Sequence, residues 1–167
     1  MTKATERPTS RLLAPPAQQP VTRLPSTPAA RVSFRQPVTS APHVDAAWWP
    51  RSRDLEAELP ALLDVLWTAA RDVNRVSYPI DSWLPVPRRV HIEGRQVRLG
   101  GFTHQDPSMI SLRDAWGTER IDILVIPPEA EPDLAAAAMV LASRSGSNES
   151  AARMLEAAAA EVGAVPS

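Results

Sequence analysis

The spacing of hydrophobic residues changes along the chain, and each spacing predicts a different kind of element. Val32 and Phe34 alternate with polar residues, which is the two-residue period of a half-buried strand. Farther on, hydrophobic residues recur at helical spacing and predict a helix over residues 53–71. We expect Ser52 to be its N-cap, and we expect Pro60 to kink or restart the helix because proline cannot donate to the helical ladder. The predicted buried stripe consists of Leu55, Leu59, Leu62, Leu63, Leu66 and Ala70.

After this helix the period returns to two and predicts a series of strands. Val76 and Tyr78 indicate a short strand, and residues 79–87 hold three prolines, which favour an extended loop. Residues 88–99 have the pattern of a hairpin with its turn at Gly94. Further strands are predicted over residues 109–112 and 121–126.

The two faces of the predicted hairpin differ in polarity. Its aliphatic residues point one way and its polar residues point the other. His91 and Glu93 share the polar face, where a carboxylate beside an imidazole could orient a general base. Because Arg89, Gln96 and Arg98 share that face as well, we interpret it as a solvated surface.

Two helices complete the predicted elements and decide the fold class. The first begins near Pro132, which suits the first helical position, and the second begins after Ser147 and stops at Gly163. Because the strands between residues 88 and 126 follow one another through short turns, we expect an antiparallel meander. The predicted fold is α+β. It has an antiparallel sheet, with a meander of about four strands plus one or two N-terminal strands, and three helices packed mainly on one face.

Proline and charge are unevenly distributed along the chain. Nine of the 18 prolines fall in the first fifty residues, and six basic residues but one acidic residue precede Asp45. A basic segment rich in Pro, Thr and Ser cannot bury enough apolar surface to offset its ordering entropy. We therefore predict a disordered basic tail over residues 1–29, a single α+β domain over residues 30–163 and a disordered C-terminus over residues 164–167. The tail lacks the apolar segment of about 7–15 residues that a secretory signal needs, so we expect a cytoplasmic protein.

Composition and motifs exclude several classes of protein. The chain has no cysteine, which excludes a disulfide scaffold, a thiolate metal site and a cysteine nucleophile. No apolar run approaches the roughly 18 residues needed to cross a bilayer. The motifs of serine hydrolases, phosphate-binding loops and zinc helices are absent, and the three histidines are not at ligand spacing. We therefore predict no cofactor, no metal and no membrane partner.

The loop after Gly100 and Gly101 is the most site-like segment, since glycine allows a ligand or another backbone to approach closely. His104 and Asp106 could form an acid–base pair there. The alternative is a turn in which Asp106 accepts a hydrogen bond from its own backbone before Pro107. His104 and Asp106 are thus the candidate catalytic residues.

Asp122 is a third carboxylate of interest. It shares a strand face with Leu124 and Ile126, and a buried carboxylate must find a partner. We expect a structural ion pair with an arginine, and a catalytic acid is the less favoured alternative.

A second candidate site combines tryptophan with arginine. The two tryptophans at residues 48–49 cannot both point into one core from an extended chain, so we expect one of them near the surface. Two arginines follow beside the predicted helix N-terminus, whose free N–H groups attract anions. A pocket for a phosphate, a carboxylate or a stacked base is one interpretation, and an edge plug with arginines paired to acids is the other. The candidate ligand-binding residues are Trp48, Trp49, Arg51, Arg53, Trp83, Arg88 and Arg89.

Several uncommon strings carry a family resemblance. They are Ala-Trp-Trp-Pro-Arg-Ser-Arg-Asp-Leu at residues 47–55, Glu-Leu-Pro at 58–60, Pro-Arg-Arg at 87–89, Val-Arg-Leu-Gly-Gly-Phe at 97–102, Asp-Pro at 106–107 and Val-Ile-Pro-Pro at 125–128. With these strings the chain resembles, over about residues 31–160, a family of uncharacterised actinobacterial proteins that is known as a domain of unknown function. The resemblance implies a bacterial cytoplasmic protein and brings no activity, cofactor or catalytic residue.

The leading functional hypothesis is a non-enzymatic binding or regulatory module, with the Trp/Arg segment facing an anionic ligand or a protein partner. Nucleic-acid binding through the basic tail is a less favoured option. The alternative is a small enzyme that uses the loop of His104 and Asp106, with Arg51 or Arg53 holding an anionic substrate. A pocket lined by both regions favours the enzyme, and separate flat surfaces favour the binding module.

Overall fold

The computed structural model describes residues 28–35, 44–144 and 150–164. Within these residues, the segments with a two-residue hydrophobic period form one sheet of seven strands. The strands are β1 (Val32–Phe34), β2 (Ala46–Trp48), β3 (Val73–Pro79), β4 (Arg89–Ile92), β5 (Arg95–Phe102), β6 (Met109–Asp114) and β7 (Arg120–Val125). The helices are α1 (Leu55–Thr68), α2 (Pro132–Ser143) and α3 (Ala151–Gly163), and a short 3-10 helix covers Ile80–Ser82. Of the predicted disordered tails, residues 1–27 and 165–167 lie outside the described residues.

The sheet is mixed, so the predicted antiparallel meander is wrong. Its strand order is β1-β2-β7-β6-β3-β5-β4, with β2 parallel to β7 and β3 parallel to β5. The remaining neighbouring pairs are antiparallel, including the predicted hairpin of β4 and β5.

The meander fails because β3 lies between β5 and β6. Residues 103–108 carry the chain across the end of β3 from one of its neighbours to the other. Gln105 fastens this crossing, since its Nε2 donates to the carbonyl of Ser77 in β3 at 3.0 Å and to that of Met109 in β6 at 2.9 Å. A short connection therefore joins strands that are not neighbours in the sheet.

One face of the sheet packs against α1. Alternate residues of all seven strands reach this core, which also holds the predicted leucine stripe of α1 except Ala70. Trp48 of β2 stacks on Trp83 within it, with ring centroids 5.6 Å apart and an interplanar angle of 17°. The stack joins the sheet to the loop that follows the 3-10 helix.

The opposite face of β1, β2 and β7 is covered by α2 and α3, so the expectation of helices on one face is also wrong. Ala46 and Trp48 of β2 face α1, whereas Ala47 between them belongs to a second core with both other helices. This second core is built mainly from small side chains, and both faces of β2 and β7 are therefore buried. Its fully buried members in the helices are Ala135, Ala138, Ala142, Ala151, Met154 and Ala158.

Helix α1 runs without interruption through Pro60. Its N-cap is Asp54, not Ser52, because the Asp54 carboxylate accepts from the backbone N–H of Ala57 at 3.2 Å. Ser52 instead donates to Glu58 at 2.9 Å. An interior proline costs about 3 kcal/mol, and burial of each leucine of the stripe is worth about 1.5–3 kcal/mol. The five buried leucines therefore outweigh the lost hydrogen bond.

In the described ranges, no helix is both long and apolar enough to cross a membrane.

Candidate functional site

The aromatic residues of the predicted Trp/Arg site are part of the protein's interior. Trp48 and Trp83 are 1% and 8% exposed and stack on each other. Trp49 points to the other side of the sheet, as expected for adjacent strand residues. Its Nε1 donates to the carbonyl of Pro127 at 3.1 Å, and the Arg31 guanidinium lies 3.7 Å from the centroid of its ring system.

The two arginines beside α1 have partners within the chain. Arg51 is exposed and donates to the carbonyl of Ala29 at 3.1 Å. Arg53 donates to both carboxylate oxygens of Glu129 at 2.9 Å and to the carbonyl of Ser82 at 2.9 Å. The Arg53 guanidinium holds the pKa of Glu129 below its usual value. Arg53 thus connects its own segment to those of Ser82 and Glu129. The Asp54 carboxylate already occupies the helix N-terminus. An anionic ligand at this place would therefore meet the carboxylates of Asp54 and Glu129.

The candidate catalytic residues do not line the cleft beside Arg53. A cleft of about 180 Å³ next to Arg53 is lined by Pro107 and Ser108 of the loop, but neither His104 nor Asp106 lines it. The Asp106 carboxylate accepts from the backbone N–H of Ser108 at 2.9 Å, which is the turn geometry of the alternative interpretation. His104 is exposed and lines a separate hollow on the sheet.

The part of the sheet that neither α2 nor α3 covers carries an unexpected alignment. We call the face of β6, β3, β5 and β4 that points away from α1 the open face. One exposed arginine projects from each of these strands and one from β7, and the strand register places them side by side. With neighbouring strands about 4.8 Å apart, this arginine row spans about 19 Å. In order across the sheet, the arginine row consists of Arg89, Arg98, Arg75, Arg113 and Arg120.

Negative charge is scarce along the arginine row. Arg120 donates from Nε to Asp122 at 2.9 Å, which is the ion pair predicted for Asp122, and Ser111 donates to the same carboxylate oxygen at 2.6 Å. The other four arginines of the row form no salt bridge with any residue that the structure describes. Like charges directly opposite on neighbouring strands are destabilising. These four arginines therefore cost stability without a described ion-pair partner that offsets the repulsion.

The carboxylates of α1 lie on the opposite side of the sheet. Glu56 and Asp64 are exposed on this helix, which packs against the other face. The formal net charge of −1 thus conceals a basic face and an acidic face. Such a separation concentrates positive potential on the open face.

The two most exposed aromatic side chains border the arginine row. Phe102 is 54% exposed and Trp116 is 86% exposed. Phe102 ends β5 on the open face, and its ring lies over Gly100, where an added Cβ would meet the ring at 3.3 Å. Trp116 lies in the turn directly beyond Arg113. The open face therefore combines a line of guanidinium groups with the Phe102 ring, and the turn at the far end of β6 adds the exposed Trp116.

Neutralising two arginines of the row is expected to stabilise the protein. Replacing Arg75 and Arg98 together by glutamine removes repulsion between neighbouring strands, so the thermal midpoint should rise by about 1–3 °C in low salt. Differential scanning fluorimetry at low and high NaCl checks this, and salt should shrink the gain. The double variant Arg144→Gln and Arg153→Gln, which removes two exposed arginines outside the row, is the charge-matched control. A fall in the midpoint of the double variant would instead show that these side chains hold the sheet together.

A half-buried carboxylate lies where β2 meets β7. The Asp45 side chain accepts from the backbone N–H of Asp122 at 2.9 Å. Burial raises the pKa of Asp45 and outweighs this hydrogen bond, which lowers it; the Asp122 carboxylate raises the pKa further, and Arg35 and Arg71 lower it. The ionised form is therefore less favourable in the folded chain than in the unfolded chain. This penalty is present above the raised pKa and disappears as the pH falls below 3.8.

Replacing Asp45 by asparagine is expected to raise the thermal midpoint at pH 7 by about 1–3 °C, because the amide oxygen still accepts the hydrogen bond without carrying charge. The difference from the unmodified protein should shrink towards zero as the pH is lowered towards 4. Thermal melts across this pH range provide the measurement. An asparagine variant that is less stable at every pH would show that the carboxylate is a favourable partner of the nearby arginines.

Sequence reasoning identified Arg89 as a candidate but not the other four arginines of the row. Each of those four occupies an outward position of a strand, where a single charge is ordinary. The available signal was one outward arginine on each of several consecutive strands. Their alignment depends on the register between strands, which period alone does not reveal.

The comparison with known families gives one match. The model of a family of unknown function, DUF5994, matches residues 31–142. All five arginines of the row and both exposed aromatic residues lie inside the matched region, whereas α3 lies beyond it. No curated protein and no solved structure matches the chain.

Proposed function

Since the chain belongs to the DUF5994 family of unknown function, we propose from its geometry that it is a non-enzymatic binding module for a polyanionic ligand. The observation that carries the proposal is the arginine row on the open face. From the sequence resemblance we also propose a bacterial cytoplasmic protein of actinobacterial origin, with the string at residues 47–55 as its signature.

The charge of the row supports a ligand with several negative groups. A guanidinium fork binds phosphate or carboxylate through two parallel hydrogen bonds. Because four of the arginines form no salt bridge with described residues, their donors are available without breaking an internal pair. A bound polyanion would also remove the repulsion between neighbouring strands. Ligand binding would thus restore the folding stability that repulsion between the arginines removes.

The proposal changes the surface that was predicted from the sequence. Arg89 belongs to the row and stays in the proposed surface, whereas Arg88 lies before β4 and has no place in the row. Burial of Trp48 and Trp83 and the pairing of Arg53 with Glu129 support an architectural role for the corner beside α1. Arg53→Gln therefore serves as a control variant that removes a positive charge outside the row.

Inorganic polyphosphate is a suitable first probe, because it offers many phosphates and no other recognition group. Polyphosphate should raise the thermal midpoint of the unmodified protein, and added salt should reduce the rise. The Arg75→Gln and Arg98→Gln double variant should lose most of the rise, while Arg53→Gln should keep it. Loss in Arg53→Gln alone would move the site to the corner beside α1. No shift with any polyanion would overturn the proposed function.

An enzyme acting on an anionic substrate is the second candidate, because His104 shares a hollow of about 350 Å³ with Arg113 and Arg120. The carboxylate of Asp106 is engaged in its turn and does not orient His104. We expect no turnover of chromogenic phosphate or carboxylate esters. Turnover that disappears in His104→Gln would favour the enzyme over the binding module.

A further inference from the structure

We infer that the polyanion is a single-stranded nucleic acid, with its phosphates along the arginine row and its bases stacked on Phe102 and Trp116. This inference rests on the proposed function and adds the class of the ligand. Three features support it: the length of the row, the position of the exposed rings and the packing of Phe102 against the sheet.

The length of the row indicates a polymer. Five guanidinium groups over about 19 Å extend well beyond a single phosphate group. A polynucleotide strand carries one phosphate for every 3.4 Å or more of its length, so several successive phosphates face the row at once. Simultaneous contacts of this kind give strong salt dependence and require no particular base sequence.

The exposed rings indicate that the polymer carries bases. The chain has eight aromatic residues, and six of them are buried or half-buried. Of the two that are exposed, Phe102 shares a hollow with Arg113 and Arg120 of the row, and Trp116 lies in the turn three residues after Arg113. An aromatic ring on a sheet surface next to basic residues is a stacking platform for an unpaired base. Polyphosphate has no group that stacks on such a ring.

The packing of Phe102 prepares it for stacking. Gly100 has no side chain, so the Phe102 ring rests against the strand backbone with its outer face free. The ring is therefore held close to the sheet before any ligand binds. Binding then does not have to pay the entropy of ordering this side chain.

A single strand fits this surface better than a duplex does. In a duplex the base faces are stacked inside and are not available to Phe102 or Trp116, so the two rings would contribute nothing. Uncharged polar side chains that lie among the arginines, such as Gln96 and Ser77, can donate to base edges that only a single strand exposes. An acidic protein segment satisfies the arginines but leaves the same rings unused.

The test is fluorescence anisotropy with a labelled oligothymidylate of about 12 nucleotides. Duplex DNA of the same length, polyphosphate and an oligoglutamate peptide are the comparison ligands. Phe102→Ala and Trp116→Ala should each weaken oligothymidylate binding about tenfold and leave polyphosphate binding unchanged. Phe102→Trp should restore binding, because it keeps a ring at that position. Leu84→Ala removes an exposed apolar side chain outside the open face and is the matched control.

The contribution of the arginines to binding is distinguished from that of the rings by its dependence on salt concentration. In the Arg75→Gln and Arg98→Gln double variant, binding of both oligothymidylate and polyphosphate should weaken. The slope of log K against log salt for the single strand is negative, and it should become less negative by about 1.4, because each lost phosphate contact contributes about 0.7.

The possible outcomes separate the two proposals. Duplex binding as tight as single-strand binding, or no effect of either ring substitution, would overturn the nucleic-acid inference while polyphosphate binding still supports the proposed function. Binding of oligoglutamate but not of oligothymidylate would identify an acidic protein partner and likewise overturn it. Binding of none of the probes would overturn both proposals.

Discussion

Replacing Trp48 by alanine is expected to lower the free energy of unfolding by about 3–5 kcal/mol, the usual cost of removing a large aromatic side chain from a core. Trp48 is 1% exposed, lies between the sheet and α1, and stacks on Trp83 at 5.6 Å. Its removal therefore leaves a cavity and also frees the loop that carries Trp83. The measurement is urea denaturation followed by far-ultraviolet circular dichroism, because changes in tryptophan fluorescence would be ambiguous here.

The same truncation at Trp116 is the control. Trp116 is 86% exposed, so Trp116→Ala should change the free energy of unfolding by less than about 0.5 kcal/mol. A small loss at Trp48, similar to that at Trp116, would contradict the packing described for the α1 side of the sheet.

Enlarging a residue of the second core should destabilise the protein for the opposite reason. Ala138 is fully buried where α2 packs on the sheet, in a cluster with Ala47 and Leu124. Replacing Ala138 by leucine adds atoms where none fit and should cost about 1–3 kcal/mol, since a packed core accepts extra volume only by moving side chains or backbone. The loss is measured as a lower urea midpoint.

A leucine on the outer side of the same helix separates packing from helix propensity. Ala136 is exposed, and leucine is nearly as good a helix former as alanine, so Ala136→Leu should leave the midpoint almost unchanged. If Ala138→Leu were equally harmless, the small residues between α2 and the sheet would not be needed for close approach.

Local patterns predicted the elements well. The aliphatic residues of the hairpin face α1 and its polar residues face solvent, as the two-residue period indicated. Pro132 begins α2, as expected for the first helical position. The N-cap of α1 was placed two residues early because Ser52 and Asp54 are both good caps, and the side-chain contact that decides between them is not visible in the sequence.

Strand order and helix placement could not be predicted in this way. The position of β3 depends on residues 103–108, whose length also suits a simple turn. Burial of β2 on both faces appears in the sequence only as Ala46, Ala47 and Trp48, a run too short to distinguish one covered face from two.

The candidate site shows the same limit. Tryptophan and arginine close together in sequence suggested a pocket, but the rings are needed in the core and Arg53 is held by Glu129. The arginine row combines residues from five strands, and each of them alone resembles an ordinary solvated charge. Register, and not composition, brings them together.

The parallel pairing of β2 with β7 has a consequence for how the chain is made. It joins residues 46–48 to residues 123–125, and β1 pairs with β2. While the protein is being synthesised, its first two strands therefore have no sheet to join until the last strand has left the ribosome. Contacts between such distant parts of a chain form only after a large loss of entropy. We expect the sheet to close late and folding to be slower than that of a meander of equal size.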